Sequence, residues 1–199
     1  DPLRLVYHGT LTRRLGVDIA LDALAQVRDA LPPFRFEVYG DGEQRDALLE
    51  QRAALGLEDV VTFSDGFVPM EHLVARLLGA DLAVLPSRQN VATALMLPVK
   101  LLEYARLGIP VVAVRTRTIA HYFADDMITA VPPENPVALG RAIVQLASDA
   151  GARHEQARRA RRFFDTHTFE AERARYQAVI RALAEAGAPA ATASGTRDS

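Results

Sequence analysis

The sequence predicts an α/β fold in which a doubly wound, mostly parallel six-stranded sheet is followed by extra C-terminal helices. Two observations support this prediction. Short apolar runs rich in β-branched residues alternate with segments of helical periodicity, and the connections between them are short. Neighbouring parallel strands must be joined by right-handed helical crossovers, so the alternation places helices on both faces of one Rossmann-like sheet.

The strands and helices follow one another in a regular order along the chain. Most of the apolar runs end in Gly, Pro or Ser, as strands do before a turn. The predicted strands lie at residues 3–9, 34–40, 60–66, 81–87, 110–116 and 128–133. The predicted helices lie at residues 16–31, 43–55, 69–79, 98–107, 117–125 and 135–149.

Beyond residue 150 the pattern changes to two further helices with no strand between them. We therefore predict one domain over residues 1–187. The basic run at 157–162 is expected to be a solvated helix face, with a membrane or phosphate contact as the alternative. Residues 188–199 are small and polar, and we expect a disordered tail there.

The composition excludes several classes of function. The chain has 199 residues, 23 basic against 25 acidic side chains and a formal charge of -2, so nucleic acid is not expected as a general partner. The absence of cysteine excludes disulfides, thiolate nucleophiles and cysteine-type zinc sites. With no membrane-length apolar run and no signal-peptide layout, we predict a cytoplasmic location, with peripheral contact at the inner membrane face as an alternative.

The predicted helix at 98–107 carries an unusual charge. Lys100 lies in its first turn, where the helix dipole disfavours a cation, and Lys before Glu is the weaker order for an ion pair with Glu103. An exposed ion pair is one interpretation. A bound anion at the helix N-terminus is the other, because it would resolve the conflict at Lys100.

Two loops are expected to face each other where the strand order reverses, which is where doubly wound sheets bind ligands. They are residues 9–16, with Arg13 and Arg14, and residues 87–98, which lead into the Lys100 helix. A diphosphate between them would meet arginines on one side and helix N–H groups on the other, unless the arginines only face solvent. Glu103, one turn deeper, is suited to accept the two hydroxyl protons of a ribose diol.

The histidines of the sequence do not indicate a metal site. No two histidines stand at metal-ligand spacing, so no metal is expected. His8, at the end of the first strand, is interpreted either as lining the crevice or as a buried histidine satisfied by backbone. Tyr104 is expected to pack in the core.

Five blocks resemble, in order and spacing, the C-terminal half of family 4 retaining glycosyltransferases with the GT-B architecture. They are YHGTLTRRLGVDIALDAL, FEVYGDGEQRDAL, VVTFSDGFVPMEHL, ADLAVLPS and MLPVKLLEYARLGIPVVAV, within residues 3–186. The resemblance implies that Glu103 binds the nucleotide ribose and that the turn ending at Val68 approaches the base. It implies that the backbone of the helix start at Leu97, Pro98 and Val99 approaches the diphosphate, and Gly9 in the first loop is a further candidate for substrate binding.

Two positions differ from the pattern of that family. Leu95 stands eight residues before Glu103, where the family has a glutamate beside the donor sugar. Thr10 and Leu15 stand where its first loop often has arginine and lysine, so Arg14, or otherwise Arg13, takes the cationic role.

The resemblance implies a glycosyltransferase domain that binds a UDP- or GDP-sugar and transfers the sugar, with retention, to a glycan, lipid or small-molecule acceptor. Lys100 and Arg14 would be catalytic by stabilising the departing diphosphate, with no metal or other cofactor. Because the chain starts at once with a strand and without Met, we expect its N-terminal acceptor domain to be missing and the isolated chain to be inactive. A non-catalytic nucleotide-binding module and a sugar-nucleotide epimerase are the alternatives.

Overall fold

The computed structural model describes residues 1–187, and the predicted tail at 188–199 lies outside the described residues. The described residues divide into two compact units, with the boundary between Phe163 and Phe164. The first unit holds the sheet and the candidate site. The second contains the long helix Phe169–Gly187.

The sheet has six parallel strands in the order β3-β2-β1-β4-β5-β6, so the predicted doubly wound fold is confirmed. The order reverses between β1 and β4, which pair through Leu5 with Leu82 and Val6 with Ala83. The strands are β1 Leu3–His8, β2 Phe34–Tyr39, β3 Val61–Phe63, β4 Leu82–Leu85, β5 Val111–Val114 and β6 Thr129–Val131.

The helices lie at the predicted positions, most with shorter bounds, but the first of the two helices predicted beyond residue 150 is divided into two, and there is one addition. The addition is α4, a five-residue helix inside the segment that we expected to be an extended loop. The helices are α1 Val17–Val27, α2 Arg45–Ala54, α3 Met70–Leu77, α4 Val91–Leu95, α5 Val99–Leu107, α6 Arg117–Tyr122, α7 Pro136–Ala147, α8 Ala150–Ala160, α9 Phe163–Thr166 and α10 Phe169–Gly187. Two 3-10 turns lie at Arg13–Leu15 and Arg28–Ala30.

The core lies on both faces of the central strands. Successive side chains of β1, among them Leu5, Val6 and Tyr7, are all buried, as expected for a parallel strand covered on both faces. Helix α1 packs on α7 and contributes Leu21 and Leu24 to the same core. Burying a side chain of this size contributes about 1.5–3 kcal/mol, so these residues stabilise the central strands that carry the candidate site.

The basic run at the end of α8 is a solvated face, as predicted. Arg158, Arg161 and Arg162 are exposed, whereas Ala157 and Ala160 of the same run are buried. Within the described part of the chain, no helix is long and apolar enough to span a bilayer.

Candidate nucleotide-sugar site

A pocket of about 360 Å³ opens at the carboxyl ends of the central strands, where the strand order reverses. Most of the predicted site residues meet there. The predicted residues that line it are Gly9, Arg14, Val68, Pro98, Val99, Lys100 and Glu103. Arg13 and Leu97 are not among the lining residues, so their roles stay predictions without support from the pocket.

Lys100 is oriented by β1 rather than by its own helix. Its Nζ lies 3.0 Å from the Tyr7 hydroxyl and 4.3 Å from the centre of the Tyr7 ring. The Tyr7 hydroxyl donates to the carbonyl of Thr10 at 3.0 Å, so it accepts from Lys100. Burial lowers the pKa of Lys100 to about 8, and the nearby Arg14 acts in the same direction while Glu103 opposes it.

Gly9 makes room for that ammonium group. Its φ of 121° lies where only glycine is readily accommodated, and a Cβ at this position would stand 2.6 Å from Lys100 Nζ. Glycine at this strand end therefore allows the chain to turn away and the lysine to approach the backbone.

The loop that carries Arg14 is attached firmly to the loop after β4. Gly16 has a φ of 74°, and a Cβ there would lie 2.1 Å from the Pro86 carbonyl. Arg88 donates to the carbonyls of Arg13 and Arg14, at 2.6 and 2.9 Å. These contacts fix the backbone of the turn that carries Arg14, whose exposed side chain lines the pocket.

Arg88 is itself held in place by ion pairs. Arg88 forms a two-pronged ion pair with Asp18, at 2.8 and 2.6 Å, and contacts Glu134 at 3.3 Å. Paired hydrogen bonds of this kind fix a guanidinium in one plane. Arg88 thus links both loops to helix α1.

Glu103 contacts a buried histidine. His8 Nε2 lies 2.7 Å from Glu103 Oε2, and His8 Nδ1 lies 2.8 Å from the Tyr104 hydroxyl. The Tyr104 hydroxyl also accepts the backbone N–H of His8 at 3.0 Å. His8 therefore lines the pocket and is buried, but its ring nitrogens are satisfied by the side chains of Tyr104 and Glu103 and not by backbone. Tyr104 is fully buried, as expected, but its hydroxyl also forms hydrogen bonds with His8, which lines the pocket.

The first turn of α5 favours an anion. Pro98 occupies the N-cap position, and no side chain caps the turn. Pro98 and Val99 both line the pocket. The unsatisfied N–H groups and the helix dipole therefore favour a bound anion at this turn. Lys100 is a cation and cannot supply that negative charge.

The remaining walls are largely apolar. Leu95 is 67% exposed and does not line the pocket. The lining side chains beyond the charged ones include Leu85, Met96, Val114 and Ile119, with the hydroxyls of Ser87, Thr93 and Thr116 among them. Within residues 1–187, no group of three or more His, Asp or Glu side chains is arranged to hold a metal ion.

Three supporting residues were missed or left open at the level of sequence. Tyr7 and Arg88 gave no signal, because their partners are distant in sequence and depend on strand order. His8 was noticed, but its contact with Glu103 depends on the pairing of β1 beside β4, which brings the start of α5 over the end of β1.

Comparison with known proteins now identifies the class. The family model described as glycosyl transferases group 1 matches residues 2–149, and the chain belongs to this family. Its sheet and flanking helices are those of the C-terminal half of a GT-B glycosyltransferase.

Individual relatives agree with this membership. The chain is 32% identical over 108 residues to the GDP-mannose-dependent alpha-(1-6)-phosphatidylinositol monomannoside mannosyltransferase of Mycolicibacterium smegmatis. The match covers 53% of this chain and 28% of that relative, so this chain spans less than a third of its length.

Solved structures share the fold. The C-terminal domain of the group 1 glycosyl transferase LpcC from Francisella tularensis matches with a TM-score of 0.67 at 16% identity, covering 83% of this chain and 85% of that one. HepE from Anabaena, crystallised with UDP, matches with a TM-score of 0.74 at 22% identity, covering 92% of this chain and 49% of that one.

Proposed function

We propose that this chain is the nucleotide-sugar-binding half of a retaining glycosyltransferase that uses a UDP- or GDP-sugar as its donor. One observation carries the proposal. Lys100, Arg14 and the uncapped start of α5 line a single pocket, and Glu103, about one helical turn further along α5, lines the same pocket. Cations beside a carboxylate suit a ligand that presents phosphate and a diol together.

The two kinds of group would contact different parts of the donor. The diphosphate would lie against Lys100, Arg14 and the first turn of α5, where the charges and N–H groups favour an anion. Glu103 would accept hydrogen bonds from the ribose hydroxyls. The turn at Val68, which lines the pocket, would approach the base.

The reaction gains most from charges that act on the leaving group. When the bond from the anomeric carbon to the diphosphate oxygen breaks, negative charge grows on that oxygen. Lys100, held by Tyr7, and the α5 N–H groups would stand beside it before the reaction starts, and Arg14 would add its charge from the facing loop, so the transition state would be stabilised with little reorganisation. In this proposal no metal ion is needed, because protein cations neutralise the diphosphate.

The acceptor, a glycan, lipid or small molecule, would bind between this domain and an N-terminal domain. We therefore propose that the 199-residue chain by itself binds nucleoside diphosphates weakly and transfers no sugar. The location we propose is cytoplasmic, including peripheral contact at the inner membrane face.

Calorimetric titration of the chain with UDP, GDP and pyrophosphate tests the proposal. UDP or GDP should bind more tightly than pyrophosphate, because only the nucleotides engage Glu103 and the base end of the pocket. Equal affinity for all three, or robust transfer from a UDP- or GDP-sugar by this chain alone, would contradict it.

Arg13 and Arg14 supply a matched pair of variants. Both are exposed and stand in the same 3-10 turn, but only Arg14 lines the pocket. Arg14→Gln should weaken UDP, GDP and pyrophosphate binding by about three- to tenfold, since one charged contact to phosphate is lost. Arg13→Gln should change binding less than twofold, and an equal loss in both variants would mean that only general charge matters.

A further inference from the structure

Resting on the proposed function, we infer that His8 is a positioning residue, a neutral imidazole protonated at Nε2 that holds Glu103 for ribose recognition. The contact joins the last residue of β1 to the middle of α5. His8 Nε2 and Glu103 Oε2 are 2.7 Å apart, and their side chains are 7% and 34% exposed. The donor is thus buried, while the carboxylate still reaches the pocket.

The Tyr104 hydroxyl determines which ring nitrogen carries the proton. A hydroxyl has one proton to donate. This hydroxyl accepts the backbone N–H of His8 at 3.0 Å, and its own proton has His8 Nδ1 as partner at 2.8 Å. In the inferred tautomer Nδ1 accepts that proton and the proton of the neutral ring lies on Nε2, because the opposite tautomer would place the Nε2 lone pair 2.7 Å from the Glu103 carboxylate.

The surroundings keep the imidazole neutral. The charged and titratable groups around it are Glu103, Lys100 and Tyr104. Burial lowers the pKa of His8, and Lys100 acts in the same direction, while Glu103 opposes both. Burial also raises the pKa of Tyr104 well above its ordinary value, so its hydroxyl keeps its proton.

Holding Glu103 has two consequences for the site. One carboxylate oxygen is occupied by His8, which leaves Oε1 and the remaining lone pairs for ribose hydroxyls. The carboxylate is also kept from turning toward Lys100, three residues earlier on the same helix. Among the ion pairs of the described chain, none joins these two residues, so the lysine stays available for phosphate.

Two substitutions separate this role from simple packing. In His8→Gln, the amide nitrogen can take the place of Nε2 and donate to Glu103. In His8→Asn, the shorter amide reaches only the position of Nδ1, so the donor to Glu103 is lost. Both variants are small polar changes at one buried position, so each is the control for the other.

The ligands are UDP and GDP, their 2′-deoxy forms and pyrophosphate, titrated calorimetrically. His8→Asn should weaken binding of the ribonucleoside diphosphate by about three- to tenfold, the loss expected for a charge-assisted hydrogen bond that fixes a ligand-binding group. The 2′-deoxy form should lose less and pyrophosphate nothing. His8→Gln should retain affinity within about twofold of the parent. Equal losses for all ligands, or unchanged binding in His8→Asn, would overturn the inference.

A second measurement requires neither a variant nor a ligand. Nitrogen-15 NMR of the imidazole in the parent chain reports which ring nitrogen is protonated. The result expected is the Nε2–H form at neutral pH, and an Nδ1–H or doubly protonated ring would overturn the inference. Because this readout needs no nucleotide, it can fail while nucleotide binding succeeds, or hold while the proposed function fails.

Discussion

Among the opposite charges that stand three residues apart on the described helices, the pair on α8 and the pair on α5 behave differently. On α8, Glu155 and Arg158 contact each other directly at 2.7 Å. On α5, Lys100 and Glu103 have the same spacing, but each turns to a residue of β1 instead. Lys100 donates to Tyr7, and Glu103 accepts from His8.

The difference shows where charge remains available for a ligand. The α8 pair lies on a solvated face, and its glutamate precedes its arginine, which is the favourable order. Arg158 pairs with Glu155, and Glu155 also pairs with Arg159 at 2.5 Å, so these charges satisfy one another. On α5, β1 holds Lys100 and Glu103 apart beside a pocket, so both have hydrogen-bonding capacity left over. The same spacing in the sequence thus gives a surface ion pair in one place and a candidate binding site in the other.

The largest expected effect comes from Glu103→Ala. It should weaken UDP or GDP binding by roughly 1–3 kcal/mol, the loss of charge-assisted hydrogen bonds to the ribose. Pyrophosphate, which has no ribose, should be barely affected. Calorimetric titrations of both ligands check this, with Glu155→Ala as the matched control. Equal losses for the two ligands would mean that Glu103 only supports the fold.

The next effect is on pH dependence. Burial lowers the pKa of Lys100 to about 8 without ligand, and a bound phosphate would raise it again, so binding above about pH 8 should require proton uptake. Affinity should therefore be nearly constant from about pH 7 to 8 and then fall by up to about tenfold per pH unit. Titrations of GDP or UDP up to about pH 9 in the parent and in Lys100→Met measure it. A similar decline in the variant would assign the effect to another group.

The smallest effect is expected at the exposed pair. Glu155→Ala should shift the melting temperature by no more than about 1–2 °C, because a solvated ion pair is screened by water and salt. The arginines Arg158 and Arg159 lower the pKa of Glu155 to about 2, so the pair exists above that pH and is lost only in strong acid. Thermal melts at low and high salt test this, and a large salt-independent shift would show that the pair supports packing.

The fold was predictable from sequence because its determinants are local. Alternating apolar runs and helical periodicity located all six strands, and the reversal of strand order followed from the commonest arrangement of such sheets. The one missed helix, α4, is too short for a periodic pattern. It depends on a capping box between Asn90 and Thr93, whose side chains each bond the other's backbone N–H.

The site was predictable only in part, for a physical reason. Lys100 and Glu103 were visible because a cation in the first turn of a helix conflicts with the helix dipole. Their supports were not, since Tyr7 and His8 reach them across about 95 residues of sequence. Loop residues are the hardest to place: Arg14 lines the pocket and its neighbour Arg13 does not.

The central claim is that the charge of Lys100 interacts with a bound diphosphate and does not form an ion pair with Glu103. Thermal melts of the parent and of Lys100→Met, each with and without UDP and GDP, test this claim most directly. Burial holds the pKa of Lys100 in the folded state below its value in the unfolded chain, so at pH 7 the charge destabilises the fold. The unfavourable contact with the helix dipole destabilises it by about 0.3–1 kcal/mol more. Methionine keeps the apolar stem on Tyr7. The variant should therefore melt at the same temperature as the parent or higher without ligand, and show a much smaller shift with nucleotide, as about tenfold weaker binding requires. A less stable variant with an unchanged ligand-induced shift would contradict the account.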